Sequence, residues 1–415
     1  MQTPTRGSKS EIGAFFMASF LSFLAGNAIT SYGLIVLSQA LTGSNVFAGS
    51  VFLVNVLPVL ILTPLAGAWL DRYPRRQLLL AAHALQVAAA AALAGGLALG
   101  LIYAGNRSPL LVIAVFNGLA LVIVQPGRYA LLGELVSAAT LARATSVLNF
   151  LMIVGFAGAP ALVGFIRARY PWATVFAAIA VLFLVSFACL LYVPARSGSN
   201  TQQSSLHGLA RGLRFAKNDL SVRHLLMFSV IAMLPLGPVQ VLVPEFLRST
   251  LYLGEQGRGV LMAAMGAGLL VGGATAASLS SERVRGRVVI SATLIGSLGL
   301  LALGLQRLPL TVALTLGAIG ISGGLVASLV PATLQTWTPD HFRGRIMSLY
   351  SVAFQGTPAL AGVMAGYGAD RWGVAHALCA VGGMMLVAAC IMGAGLSRIR
   401  VWLRGKAGPS SIALQ

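Results

Sequence analysis

Acidic side chains are what this sequence has least of: nine Asp and Glu in 415 residues, with charged residues of both signs making up 9%. Soluble domains carry about 25% charged residues, so a water-soluble enzyme and a disordered chain are both excluded. Cysteine is scarce as well. Cys189, Cys379 and Cys390 all fall inside long apolar runs, and an odd, embedded set provides neither a disulfide framework nor a metal motif. The five histidines (His83, His207, His224, His341, His376) are scattered over separate segments. A membrane-embedded enzyme needs its acid, base or nucleophile assembled at one depth, and nothing here is spaced for that. No catalytic residue, metal or cofactor is expected.

What the chain has in excess is apolar length: 57% hydrophobic residues and a mean hydropathy of +0.87. Stretches long enough to cross a bilayer, roughly 20 residues each, recur near 12–40, 46–70, 78–103, 109–133, 145–166, 172–193, 224–247, 257–280, 288–306, 309–337, 346–369 and 374–397. The runs are continuous rather than alternating, which favours helices over the strands of a β-barrel. The expectation is an all-α membrane protein of twelve transmembrane helices. The polar stretch 194–223 divides it into six-helix halves, 1–193 and 224–397, followed by a basic tail, 398–415. Equal halves of this kind are how many transporters are built, with the substrate site near the midplane between them. The first apolar run exceeds the 7–15 residues of a signal-peptide core and is expected to stay as span one.

The 28 Lys and Arg give a net charge of +19. On a soluble protein that would suggest nucleic acid; here its distribution decides otherwise. With twelve spans, 21 basic residues fall on the side of the termini and seven (Arg107, Arg167, Arg169, Arg248, Arg258, Arg307, Arg371) on the other. The positive-inside bias puts both termini and the linker in the cytosol, and no nucleic-acid partner is expected. Within the linker, Leu206, Leu209, Leu213, Ala216 and Leu220 share one helical face, away from Arg211, Arg214 and Lys217, the pattern of an interfacial helix on the cytosolic leaflet.

Two short motifs repeat. GxxxDR ends span two (Gly67, Asp71, Arg72) and span eleven (Gly366, Asp370, Arg371), and GxPALxG occurs in span five (Gly158, Pro160, Gly164) and span eleven (Gly356, Pro358, Gly362). Glycines at these spacings, like Gly268 with Gly272, allow close helix packing. Asp71, at the cytosolic end of span two, can pair with Arg75 or Arg76 or lie against the N-terminus of another helix.

The segment Gly67–Leu79, GAWLDRYPRRQLL, resembles the loop between helices two and three of the major facilitator superfamily. TPDHFRGRIMSL at 338–349, HGLARGLRFAKN at 207–218 and the TGS at Thr42–Ser44 are similar to the branch holding enterobactin-type siderophore exporters and macrolide efflux proteins. That resemblance implies the major facilitator fold, and a conformational lock at Gly67, Asp71, Arg72, Arg75 and Arg76, with Pro74 standing where the family usually has Gly. It also implies export by alternating access, with proton as the coupling ion, by a monomer in a bacterial inner membrane.

Inside the spans the acids nearly disappear. Only Glu245 lies within one, toward the outer end of span seven, with Arg248 one turn away; it is the proton-coupling candidate, and an ion pair is the plainer reading. The acidic residue that many relatives carry after the span-one glycine is Asn27 here, and the superfamily arginine of span four is Ala114. Neutral polar groups line up instead: Asn27, Asn55, Asn117, Asn149, Gln240 and Gln355 near mid-depth, with His83, Gln86, Gln125 and Arg128 nearer the cytosol. Any single one is best read as an interhelical clip; as a set they outline a polar, non-acidic cavity. A cationic drug wants a carboxylate or an aromatic cage, so the expectation is a secondary transporter exporting a small polar organic molecule. A carboxylate-bearing siderophore ranks first, ahead of a macrolide or other drug, with nutrient uptake as the further alternative.

Overall fold

The computed structural model describes residues 8–194, 214–279 and 281–395, and nearly all of them are helical. The helices are α1 (Lys9–Asn27), α2 (Leu34–Thr42), α3 (Asn45–Arg72), α4 (Arg75–Ala98), α5 (Ser108–Leu135), α6 (Ala138–Arg167) and α7 (Trp172–Leu191). They continue with α8 (Leu220–Met233), α9 (Leu236–Ser249), α10 (Glu255–Ser278), α11 (Glu282–Leu305), α12 (Pro309–Trp337), α13 (Asp340–Trp372) and α14 (Val374–Gly395).

Eleven spans among the described residues are long and apolar enough to cross a membrane. The one expected span missing from that set, span eleven, forms a helix of 33 residues, α13, without reaching that apolarity among its described residues. Its ends carry Arg343, Arg345, Asp370 and Arg371, and its middle is diluted by Gln355 and glycine. The expected interfacial helix and basic tail fall almost wholly outside the described residues; only the helical turn at 214–218 is described.

Two spans are less regular than their hydropathy suggests. Span one is a single run, Lys9–Thr42, in which α1 and α2 are joined by a π-helical segment, Ala28–Gly33. A Cβ at Gly33 would press on the Ala28 carbonyl and the Phe176 ring, so the wider turn and the missing side chain go together. Such π segments gather at functional sites. Span seven breaks between Met233 and Leu236, where Pro235 supplies no N–H to the ladder.

The chain divides into two compact units. One runs to Thr42 and from Val54 through α7; the other takes Gly43–Leu53 and everything from α8 onward. In the first, α1 packs on α6 and α7, and α4 packs on α5 and α7, around Phe15, Phe23, Leu79, Leu131, Leu148 and Leu190. In the second, α10 lies along α12, α11 along α12 and α14, and α9 along α13. The α10 and α12 backbones approach so closely that a Cβ at Gly268 would meet the Gly317 carbonyl and one at Gly272 the Ile321 carbonyl, as the glycine spacing anticipates. The repeated GxPALxG behaves unequally. Gly158, Pro160 and Gly164 are not exposed, but Gly158 makes only an ordinary contact with Leu24, and the tight approach falls at Gly155, on the backbone of Phe23 and Leu24. In α13, with Gly356 and Pro358 buried, the Pro358 carbonyl fills the space beside Gly237, and Gly362 faces Val241.

Candidate functional site

In the first unit, three of the expected polar residues are committed to helix contacts. Asn55 Nδ2 donates to the Ala114 carbonyl (3.0 Å), and a Cβ at Gly118 would collide with the Asn55 carbonyl. Asn117 Nδ2 donates to Thr30 Oγ1 (2.8 Å) in the π segment. Asn149 accepts from the Tyr129 hydroxyl (2.7 Å). Asn27 stays on its own helix, donating to the Phe23 carbonyl. Gln125 is exposed. Thr30 and Tyr129 could not be singled out from the sequence, since hydroxyls are common in apolar helices.

The ends of these helices beside the basic loop after α3 are tied by that loop. Arg75 Nη1 donates to the Ala130 carbonyl (2.9 Å) and pairs with Glu134 (3.0 Å). Arg76 caps the end of α7, donating to the carbonyls of Leu190 (3.1 Å) and Leu191 (2.7 Å); these are the last-turn acceptors that a helix leaves open. Arg72 lies exposed beside the Tyr73 ring. The side chain of Asp71 is outside the described residues, so its place in the lock is not part of this geometry.

Arg128 is buried within α5 and does not lie in a loop. It sits seven residues before the end of α5, about 10 Å inside at 1.5 Å per residue, and is only 3% exposed. Its Nη2 donates to Ser22 Oγ (2.5 Å) on α1, and its guanidinium lies 3.9 Å from the centroid of the Phe23 ring. On α4, His83 is buried, its Nδ1 against the Leu79 carbonyl (2.8 Å), and within electrostatic reach of Arg128. One turn on, Gln86 is fully buried, and neither its amide nitrogen nor its oxygen has a partner.

In the second unit, Gln240 is buried with its Oε1 unpartnered, and Gln355 is half-buried. Glu245 is held by both arms of Arg248, Nε to Oε2 at 2.8 Å and Nη2 to Oε1 at 2.7 Å. The second GxxxDR acid, Asp370, accepts from Ser44 Oγ (2.8 Å), the Asn45 N–H (2.8 Å), Asn45 Nδ2 (2.8 Å) and the Val46 N–H (3.1 Å). It thereby caps the first turn of α3. Partial burial alone would raise the Asp370 carboxyl; the four donors outweigh it and hold the pKa below its ordinary value.

The other described acids are engaged in the same way. Glu11 closes a capping box with Ser8, Asp219 caps α8, and Glu255 pairs with Arg258. With Glu134, Glu245 and Asp370, every acid whose side chain is described is occupied by a cap or a cation.

Residues 13–405 match the family described as transmembrane secretion effector. The chain is similar to the multidrug efflux pump Tap of Mycobacterium tuberculosis, 28% identical over 367 residues, covering 84% of this chain and 85% of the relative. The Tap pump of Mycolicibacterium fortuitum is 29% identical over 363 residues, covering 84% and 87%. The staphyloferrin A transporter of Staphylococcus aureus matches over 183 residues at 30% identity, 43% of this chain and 44% of that one. Among solved structures, the nucleoside transporter NupG superposes with a TM-score of 0.76 at 14% identity, covering 92% of this chain and 99% of the other. A D-xylose-proton symporter gives 0.75 at 16%, covering 94% and 98%. At those identities the agreement speaks for the fold.

Proposed function

Because the chain belongs to the transmembrane secretion effector family of the major facilitator superfamily, and so is a multi-pass secondary transporter rather than an enzyme, we propose that it exports small organic molecules from a bacterial cytoplasm across the inner membrane. One observation carries the direction: the relatives matched over 84% of the chain are efflux pumps. In this reading α13 completes twelve spans, both termini lie in the cytosol, and the monomer works by alternating access. Asp71, Arg72, Arg75 and Arg76 form the cytosolic lock, with Arg75 and Arg76 already tied to α5 and α7. Proton is the coupling ion by family likeness. Glu245 is the acid within a span that could carry it, although its bidentate Arg248 favours a fixed ion pair.

Drug-like cargo is the first reading of the substrate, which reverses the order the sequence suggests. The siderophore reading is kept as the second because of the half-length staphyloferrin A similarity and the buried cation of the first unit. Accumulation of a cationic dye and secretion of iron chelator, compared between a deletion strain and the same strain complemented, test both. Higher dye accumulation in the deletion strain supports drug export, and reduced secreted chelator supports the siderophore. If neither changes while uptake of a nutrient falls, the export reading fails.

A further inference from the structure

Among the described residues, Arg128 is a buried cation with no counter-charge. Ser22 supplies its one hydrogen bond and Phe23 a ring face; no carboxylate pairs with it among the described residues, whose acids are all engaged elsewhere. A charge inside a membrane protein is costly, and residues that bear one there are tied to substrate or ion pathways by default. A purely structural arginine would be expected to find carbonyls or an acid, as Arg76 does at the end of α7 and Arg258 does at Glu255.

The surroundings point the same way. Gln86, fully buried, keeps both a donor and an acceptor unsatisfied, and buried amides without partners are rare enough to require a reason. It lies on α4 one helical turn from His83, which is within electrostatic reach of Arg128, and α4 packs along α5, the helix that supplies the cation. We propose that Arg128, Ser22, His83 and Gln86 form an anion-binding subsite in the first unit that takes a carboxylate, or a comparable oxyanion, of the transported molecule. The guanidinium provides a planar fork that matches a carboxylate. Gln86 adds an amide donor, and the Phe23 ring covers the other face of the cation. The proposal rests on the transporter reading and adds to its cargo molecules that carry at least one acidic group.

Binding can be measured without transport. Purified full-length protein in detergent is titrated with citrate and with trimethyl citrate, which keeps the carbon skeleton and removes the charges, by thermal shift and by equilibrium dialysis of labelled citrate. Wild type is expected to bind citrate saturably and to ignore the ester. Arg128→Gln is expected to weaken citrate binding by at least about tenfold, Arg128→Lys by less because it keeps the charge but loses the fork, and Gln86→Leu by a few-fold. Equal responses to citrate and ester, no saturable citrate binding by wild type, or unchanged affinity in Arg128→Gln would each overturn the subsite. Should Arg128→Gln fail to fold, Arg128→Lys decides: wild-type affinity there overturns the bidentate role. Because no transport is involved, a chain that binds citrate but exports nothing contradicts the export reading alone, and a chain that exports but does not bind citrate contradicts the subsite alone.

Discussion

Arg128 in the first unit and Arg258 in the second are buried almost equally, 3% and 5% exposed, yet they are accommodated by opposite means. Arg258 has Glu255 one turn before it on α10, an ion pair within a single helix. Arg128 has a hydroxyl and an aromatic ring. Removing one partner of a buried pair strands the other charge, whereas removing an unpaired charge strands nothing. Both units use their described acids as structural partners, and the first in addition leaves a cation open for a ligand.

The sharpest way to break this contrast is to replace both arginines with methionine, which keeps length and removes charge. Arg258→Met removes the ion-pair partner of Glu255 on its own helix and is expected to lower stability by about 1–3 kcal/mol, less than a fully buried pair would cost because Glu255 is partly exposed. Thermal unfolding in detergent reads it. Arg128→Met is expected to lose citrate binding while unfolding at the wild-type temperature or above.

Asp370 offers a test on a polar surface instead of an interior. Asp370→Asn exchanges charge-assisted bonds to Ser44, Asn45 and Val46 for neutral ones and is expected to cost about 1–2 kcal/mol. Since the Asp370 pKa is held below its unfolded value, the contribution is fully present above the ordinary carboxylate range and is lost as pH falls through the lowered folded value. The wild type should therefore lose more stability on acidification than Asp370→Asn does, which a pair of melting curves against pH checks. The smallest effects belong to the neutral clips: Asn117→Leu should cost about 0.6 kcal/mol, the scale of one interhelical hydrogen bond to Thr30.

Hydropathy was enough to locate eleven of the expected spans, because a bilayer demands length and apolarity that no other environment does. It could not reveal where a span breaks or widens. The gap at Leu234 and Pro235 and the π segment at Ala28–Gly33 depend on individual prolines, glycines and side-chain contacts that a window average smooths away. Asn55 and Asn117 were legible as polar residues in apolar helices, but their partners, a carbonyl on α5 and a hydroxyl in the π segment, were not. Asp370 was visible as half of a repeated motif; its role as a cap depends on Ser44, Asn45 and Val46, more than 300 residues away in sequence. Arg128 was legible both as a basic residue near a span end and as part of the polar set within span four; its burial, its bond to Ser22 on α1 and the Phe23 ring beside it were not.

Whether Arg128 has a structural partner is tested most directly by the melting temperature of Arg128→Met, with and without citrate. A midpoint at or above that of wild type and no response to citrate are expected. A midpoint lowered as far as that of Arg258→Met would show that Arg128 is a structural charge, and a citrate response equal to that of wild type would show that the anion binds elsewhere.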